Sequence, residues 1–269
     1  MTTQTAPIPF VHLRSHSEFS VVDGTARVDD LVKAAKTFNQ PALALSDLGN
    51  LFGQIKFYKQ ARKSGLKPII ACDLWLSNEQ DPNQPFRCLL IAKNHEGYLS
   101  LCELISKAWL ENQNLGRGEI RKAWLRDAKG LIALSGARQG DIGHALEVGN
   151  YAHAVELAKE WRELFPDSFY LELQRAGFEG DESYVQQAIR IAQELRLPVV
   201  ATHPIQFLHE SDYEAHEARI CIADGEVLAN PSRVRRFNRQ QYMLSSEQMQ
   251  ERFADIPSAL QKTVEIAKR

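Results

Sequence analysis

Seven short runs rich in apolar and β-branched residues, separated by amphipathic stretches, constrain this chain more than any other feature. The runs are Phe10 to Leu13, Ala42 to Ser46, Pro68 to Leu76, Cys88 to Ala92, Leu131 to Ser135, Phe169 to Leu173 and Pro198 to Thr202. Between them, Val28 to Phe38, Leu51 to Lys63, Tyr98 to Leu110, Ala152 to Leu164 and Tyr184 to Leu195 repeat apolar residues at spacings of three and four. That is the period of a helix with one buried stripe. Ala42 to Leu45 and Leu131 to Leu134 are apolar throughout, which predicts strands covered on both faces of a parallel sheet. The alternation predicts an α/β protein, either an open doubly wound sheet or a closed barrel. An open dinucleotide-binding sheet would carry G-x-G-x-x-G after its first strand, whereas here that strand runs into His12-Leu13-Arg14-Ser15-His16. The expected architecture is therefore a seven-stranded barrel. Its chemistry should gather at the carboxyl ends of the strands, which read His12 to His16, Ser46-Asp47, Cys72-Asp73, Ser135-Gly136 and Thr202-His203.

After Leu208 the pattern changes to Tyr213 to Ala223, a basic stretch from Pro231 to Arg239, Glu247 to Phe253, and a helix from Pro257 onward. This predicts a barrel over residues 1–208 and C-terminal helices with a basic loop over 209–269. Asp255 is placed to cap the last helix and Pro257 suits its first turn. Its stripe of Leu260, Val264 and Ala267 is still running at Arg269, so the chain is expected to be a piece of something longer.

Charge and cysteine usage narrow the function classes. Lys+Arg total 32 against 34 Asp+Glu, which leaves no global positive field to hold a polyanion. The 4 cysteines, Cys72, Cys88, Cys102 and Cys221, form no C-x-x-C pair, so neither a zinc knuckle nor a disulfide framework is expected. The first thirteen residues hold no basic side chain and no apolar core segment, so no signal peptide is expected, and no window approaches a membrane-spanning length. A cytoplasmic protein with no membrane partner is expected.

His12, His16 and Asp23 could together ligate one divalent ion; alternatively His12 faces the barrel wall and only His16 reaches the mouth. Asp47, before Leu48-Gly49-Asn50, is expected to cap the following helix. Asp73 lies within the apolar run Ile69 to Leu76, where an unpaired carboxylate would be costly, so it requires a metal, an arginine or several amide donors. His203 precedes Pro204. His95, His144, His153, His209 and His216 have polar neighbours and are expected mostly at the surface. Gly136, Gly140 and Gly143 do not match a phosphate-cradling loop; there is no G-x-S-x-G; and neither His209-Glu210 nor His216-Glu217 extends to H-E-x-x-H. Arg233, Arg235, Arg236 and Arg239, around Phe237, form the one concentrated basic run, readable as a nucleic-acid contact or as a loop paired with acidic neighbours.

Phe10 to Ser20 closing at Asp23-Gly24, Ala42 to Gly53, Gly65 to Ile70, Gly130 to Gly136 and Val199 to Thr202 together resemble the PHP (polymerase and histidinol phosphatase) domain that opens the alpha subunit of bacterial DNA polymerase III. The similarity runs through Phe253 to Pro257 and on to Ile266 to Arg269. It implies a distorted seven-stranded (β/α)7, TIM-like barrel with extra C-terminal helices. In metal-bearing relatives the mouth holds up to three zinc or manganese ions and hydrolyses phosphoesters, including 3′ ends of DNA.

Carried over position by position, the family's first ligand histidine is Arg14, while His16 and Asp23 are retained. The next histidine is Leu48, the family glutamate is the shorter Asp73, and a further histidine is Arg87. The cysteine is Ala137, and the final aspartate and histidine fall on Pro204 and Gln206. Three remnants cannot rebuild a trinuclear centre, so no cofactor is expected beyond a weakly held single divalent ion, and Arg14 and Arg87 are expected to pair with Asp23, Asp47 or Asp73. The resemblance implies a scaffold with a degenerate site and no catalytic residue of its own. It would brace the rest of a polymerase alpha chain, dock the proofreading exonuclease (epsilon) subunit, and meet DNA through the parent polymerase. The alternatives are an active phosphoesterase using His12, His16, Asp23, Asp73 and His203, and a stand-alone DNA-binding module.

Overall fold

A computed structural model describes residues 9–269. The amino-terminal residues on which the reading of no signal peptide partly rests, 1–8, lie outside the described residues. No helix among those described is long and apolar enough to cross a membrane.

The elements follow in the order α1 (Val28–Thr37), β1 (Ala42–Leu45), α2 (Gln54–Lys63), β2 (Lys67–Leu76), β3 (Phe86–Ala92), α3 (His95–Glu111), β4 (Gln113–Asn114) and β5 (Arg117–Ile120). They continue with β6 (Leu131–Leu134), α4 (Asp141–Glu147), α5 (Tyr151–Leu164), β7 (Phe169–Gln174), α6 (Asp181–Leu195), β8 (Val199–Thr202), α7 (Tyr213–Asp224), α8 (Ser246–Arg252) and α9 (Pro257–Lys268). The α/β class expected from the sequence is observed, and six of the seven expected strands form as β1, β2, β3, β6, β7 and β8.

Three differences have physical causes. The sheet is mixed, not parallel: β3 returns antiparallel to β2 through the 77–85 turn and is antiparallel to β6, whereas β1–β2, β6–β7 and β7–β8 are parallel. No crossover helix separates β2 from β3, so the shorter connection dictates the antiparallel pairing. The β4–β5 hairpin was not expected; it turns at Leu115-Gly116, both at positive φ, and β5 adds parallel to the end of β2. The stretch from Phe10 is extended but bonds too irregularly to count as a strand. Ala44 N donates to His12 O and Ser46 N to Ser15 O on one side, while His16 N donates to Ile205 O on the other.

Side chains alternate across each strand, and one register of β1, β2, β3, β6, β7 and β8 packs together with the 11–13 segment into one interior. Val11, Leu13, Ala44, Ala71, Leu89, Leu134, Tyr170 and Val200 fill it. The opposite register, with Leu74, Leu90, Ala133 and Leu171, packs under α3 to α6, while Leu43 and Leu45 pack under α1 and α2. The last helix seals one end of the interior: Ile266 and Ala267 join its side chains, and the buried Thr263 hydroxyl accepts from Val11 N at 3.1 Å. Asp255 does not cap this helix. Ile256 holds the cap position, and Asp255 instead receives Arg175 Nη1 at 2.6 Å.

Candidate functional site

The interior register does not stop at apolar residues. Two residues beyond Ala71 on β2 comes Asp73, two beyond Tyr170 on β7 comes Glu172, two beyond Val200 on β8 comes Thr202, and two before Leu89 on the antiparallel β3 comes Arg87. Period-2 alternation thus delivers a polar layer on top of the apolar stack, and Arg14 and His16 enter it from the 12–16 segment.

Arg14 grips Glu172 at two points, Nε to Oε1 at 2.8 Å and Nη2 to Oε2 at 2.9 Å, and its Nη1 donates to Asp73 Oδ2. Arg87 donates to Asp73 through Nε (3.2 Å) and Nη2 (2.5 Å) while lying 4.3 Å from the Trp75 ring centroid. His16 places Nδ1 2.9 Å from Asp23 and Nε2 3.2 Å from Asp73. Asp23 also accepts from the Ser20 hydroxyl at 2.6 Å. Glu172 accepts further from Thr202 Oγ1, Gln174 Nε2 and Gly136 N. All six ionic side chains, Arg14, His16, Arg87, Asp23, Asp73 and Glu172, are buried.

Charge balance follows from the pairing. Burial alone would drive His16 toward its neutral form, yet Asp23 and Asp73 outweigh it and raise its pKa to about 9. Burial would likewise raise Asp73, but Arg14, Arg87 and His16 hold its carboxyl far below the usual carboxylate range. Asp23 is lowered by the same His16 contact against the same burial. Three cations therefore face three carboxylates, each charge with at least one opposite partner.

The residues do not fit a divalent metal centre. A ligand must offer a lone pair, and the groups aimed at both oxygens of Asp73 are N–H donors of two guanidiniums and an imidazolium, with no lone pair to give. Among the described residues, no group of three or more His, Cys, Asp or Glu side chains is disposed to hold a metal ion.

The remaining candidate residues divide clearly. Pro204 and Gln206 line, with Arg14, Asp23, Asp73 and Arg87, a cavity of about 400 Å³ above the cluster. Leu48 bridges to Asp73 through the backbone, and Ala137, the residue after Gly136, is buried. His12 and His203 turn away: their Nε2 atoms meet the carbonyls of Leu244 (2.8 Å) and Tyr242 (3.1 Å). Burial lowers the pKa of His12 to about 4 and that of His203 well below its ordinary value. Asp47 does not cap α2. Its carboxylate accepts from Ser17 N at 2.6 Å and the Ser17 hydroxyl, and burial pushes it up to about 6. His216 is fully buried, not at the surface, with Nε2 2.9 Å from Asp23 O.

In the basic run, Arg233 pairs with Glu217 at 2.5 Å, Arg236 with Asp224 at 2.7 Å, and Arg239 with Glu214 at 3.6 Å, all three carboxylates on α7. Arg235 and Arg236 reach the cavity rim. Sequence reasoning missed Glu172, although it carries the signal that singled out Asp73: one carboxylate inside an apolar strand, Phe169 to Leu173.

The PHP domain family model matches residues 12–176, more than half of the 269-residue chain. The DNA polymerase III subunit alpha of Pseudomonas aeruginosa is 45% identical over 263 residues, covering 97% of this chain and 22% of that protein. The corresponding Pseudomonas fluorescens subunit is 46% identical over 265 residues, covering 98% and 22%. The chain therefore spans about a fifth of the length of these relatives. An amidohydrolase from Chromobacterium violaceum, solved with bound sulfate and no metal, shares the fold at a TM-score of 0.52 and 12% identity, covering 78% of this chain and 96% of that one. On the strength of the family match across its sheet and site, the chain belongs to the PHP domain family.

Proposed function

We propose that this chain is the PHP domain of a DNA polymerase III alpha chain, that its hydrolytic site has been replaced by ion pairs, and that it serves replication as a scaffold. The observation that carries the reading is the closed set of Arg14, Arg87 and His16 against Asp73, Glu172 and Asp23. In relatives with a working centre, metal ions would activate water and neutralise the phosphate. Here fixed guanidiniums supply positive charge but no Lewis acid, and both oxygens of Asp73 are already engaged. The irregular 10–16 segment, bonded to β1 on one side and to the turn after β8 on the other, supports closure of a distorted seven-stranded barrel. Residues 209–269 would then lead from that barrel toward the polymerase core.

As a scaffold, the domain would brace the remainder of the polymerase chain and dock the proofreading exonuclease subunit, in the cytoplasm, with DNA reached through the parent enzyme. Elemental analysis of protein purified without chelator tests the site: less than a tenth of an equivalent of zinc or manganese is expected, with no phosphoester turnover. Stoichiometric metal together with turnover abolished by His16→Ala would overturn the scaffold reading. A binding titration against the exonuclease subunit tests the docking role.

A further inference from the structure

The end of the sheet opposite the ionic cluster carries a second cavity, of about 420 Å³. Its base is isoleucine, its rim carries Lys67, Lys93 and His95 with Tyr58 and Tyr98, and no Asp or Glu side chain lines it. Lys67 Nζ donates to the Ala267 carbonyl at 2.5 Å and Lys93 Nζ to the Ser168 hydroxyl at 3.1 Å. Both acceptors are neutral, so neither cation is compensated where it sits.

Tyr58 connects this basin to α2, whose ten residues, QIKFYKQARK, contain four bases and no acid. Lys56 pairs with Glu18 at 3.0 Å, while Lys59, Arg62 and Lys63 are exposed and form no ion pair among the described residues. Ile55, Lys59 and Arg62 follow helical spacing along one face. Tyr58, beside them, is 50% exposed and Phe52, just before the helix, 71%. A continuous stretch of positive surface without ion-pair partners among the described residues thus lies on α2 and the basin beside it, next to an exposed ring. The conspicuous arginine run lies elsewhere, with three of its charges matched by α7.

We propose that α2 and the adjoining basin bind a single strand of nucleic acid, with phosphates against Lys59, Arg62, Lys63 and Lys93 and bases against the Tyr58 and Tyr98 rings. Uncompensated cations beside the exposed Tyr58 ring, with the half-buried Tyr98 ring stacked on His95 across the basin, are the chemistry of sequence-tolerant strand binding. An acidic polypeptide would use the charges but would have no need of the exposed Tyr58 ring. With a net charge of −2 the protein supplies little long-range attraction, so affinity is modest and made at contact. This inference is independent of the fate of the metal site.

Fluorescence anisotropy of a labelled oligothymidylate of about twelve nucleotides tests it. Binding should weaken with salt at a log–log slope of about −3, the value for roughly four neutralised phosphates on a single strand. Joint Lys59→Glu, Arg62→Glu and Lys63→Glu substitution should weaken it at least ~10-fold, and Tyr58→Ala roughly 10-fold, with Tyr58→Phe near the parent value. Each variant is checked for an unchanged melting temperature, and Arg235→Glu should leave affinity unaltered. No binding at low salt, or affinity indifferent to the α2 reversals, overturns the proposal. So does competition by poly-glutamate as effective as by the oligonucleotide, which would mark an acidic-protein surface, or binding of dAMP or inorganic phosphate as tight as that of the strand.

Discussion

Arg14 and Glu172, 158 residues apart in sequence, meet through two near-parallel hydrogen bonds of 2.8 and 2.9 Å with both side chains out of water. The planar fork matches the carboxylate edge, a geometry no lysine reproduces. Removing one partner leaves the other charge buried and uncompensated. Arg14→Met should therefore destabilise the fold by about 3–5 kcal/mol, read as a lower urea midpoint at unchanged slope, and Arg14→Lys should recover less than half of that. An Arg14→Met loss below about 1 kcal/mol would mean that the fork contributes little to holding the layer together.

Stability should decline on the alkaline side because of His16. Its pKa is raised to about 9 in the folded chain, against about 6.5 when unfolded, so its contribution is complete below pH ~6.5 and disappears as pH rises through about 9. The displacement corresponds to about 3 kcal/mol. Denaturant midpoints between pH 6 and 10 should slope downward in the parent and much less in His16→Gln. Parallel slopes would contradict the charged imidazolium.

The acid side is governed by histidines of the opposite kind. His12, with a pKa lowered to about 4 by burial, and His203, lowered well below its ordinary value, fold as neutral rings. Their contribution is present above pH ~6.5 and is lost as pH falls toward 4. Asp47, raised to about 6, works in the reverse sense and offsets part of the loss. His12→Asn should therefore flatten the slope of stability between pH 6.5 and 4 relative to the parent, as measured by thermal melts across that interval. An unchanged slope would count against the neutral ring.

At the other end of the interior, the Thr263 hydroxyl receives Val11 N and donates to Leu260 O at 2.6 Å. Thr263→Val keeps the shape but leaves the Val11 amide without its acceptor, so a loss of about 1–3 kcal/mol is expected. Hydrogen exchange of the Val11 amide should accelerate in the variant, and protection equal to that of the parent would refute the assignment.

How far the sequence could be read depended on whether a residue's partner lay within the same element. Strands β1 and β6 and the helices between strands were legible because a continuous apolar run or a 3.6-residue stripe is a local property. Asp73 was legible for a related reason: a carboxylate in such a run demands a cation. Glu172 makes the same demand from β7, and only the layer it shares with Asp73 and Arg14 discloses its place. The arginine run could not be weighed locally, since Glu214, Glu217 and Asp224 on α7 neutralise it out of sequence order. Asp47 illustrates the converse case, where a plausible local cap was displaced by a stronger long-range donor, Ser17.

Helix α9 lies last along the described chain yet contributes Ile266 and Ala267 to the side chains packed between the strands. During synthesis, all eight strands leave the ribosome before the segment that stoppers them. Until residues 257–268 clear the exit tunnel, the apolar side chains that Ile266 and Ala267 cover go without that cover, so the sheet cannot complete its packing before the last helix is made.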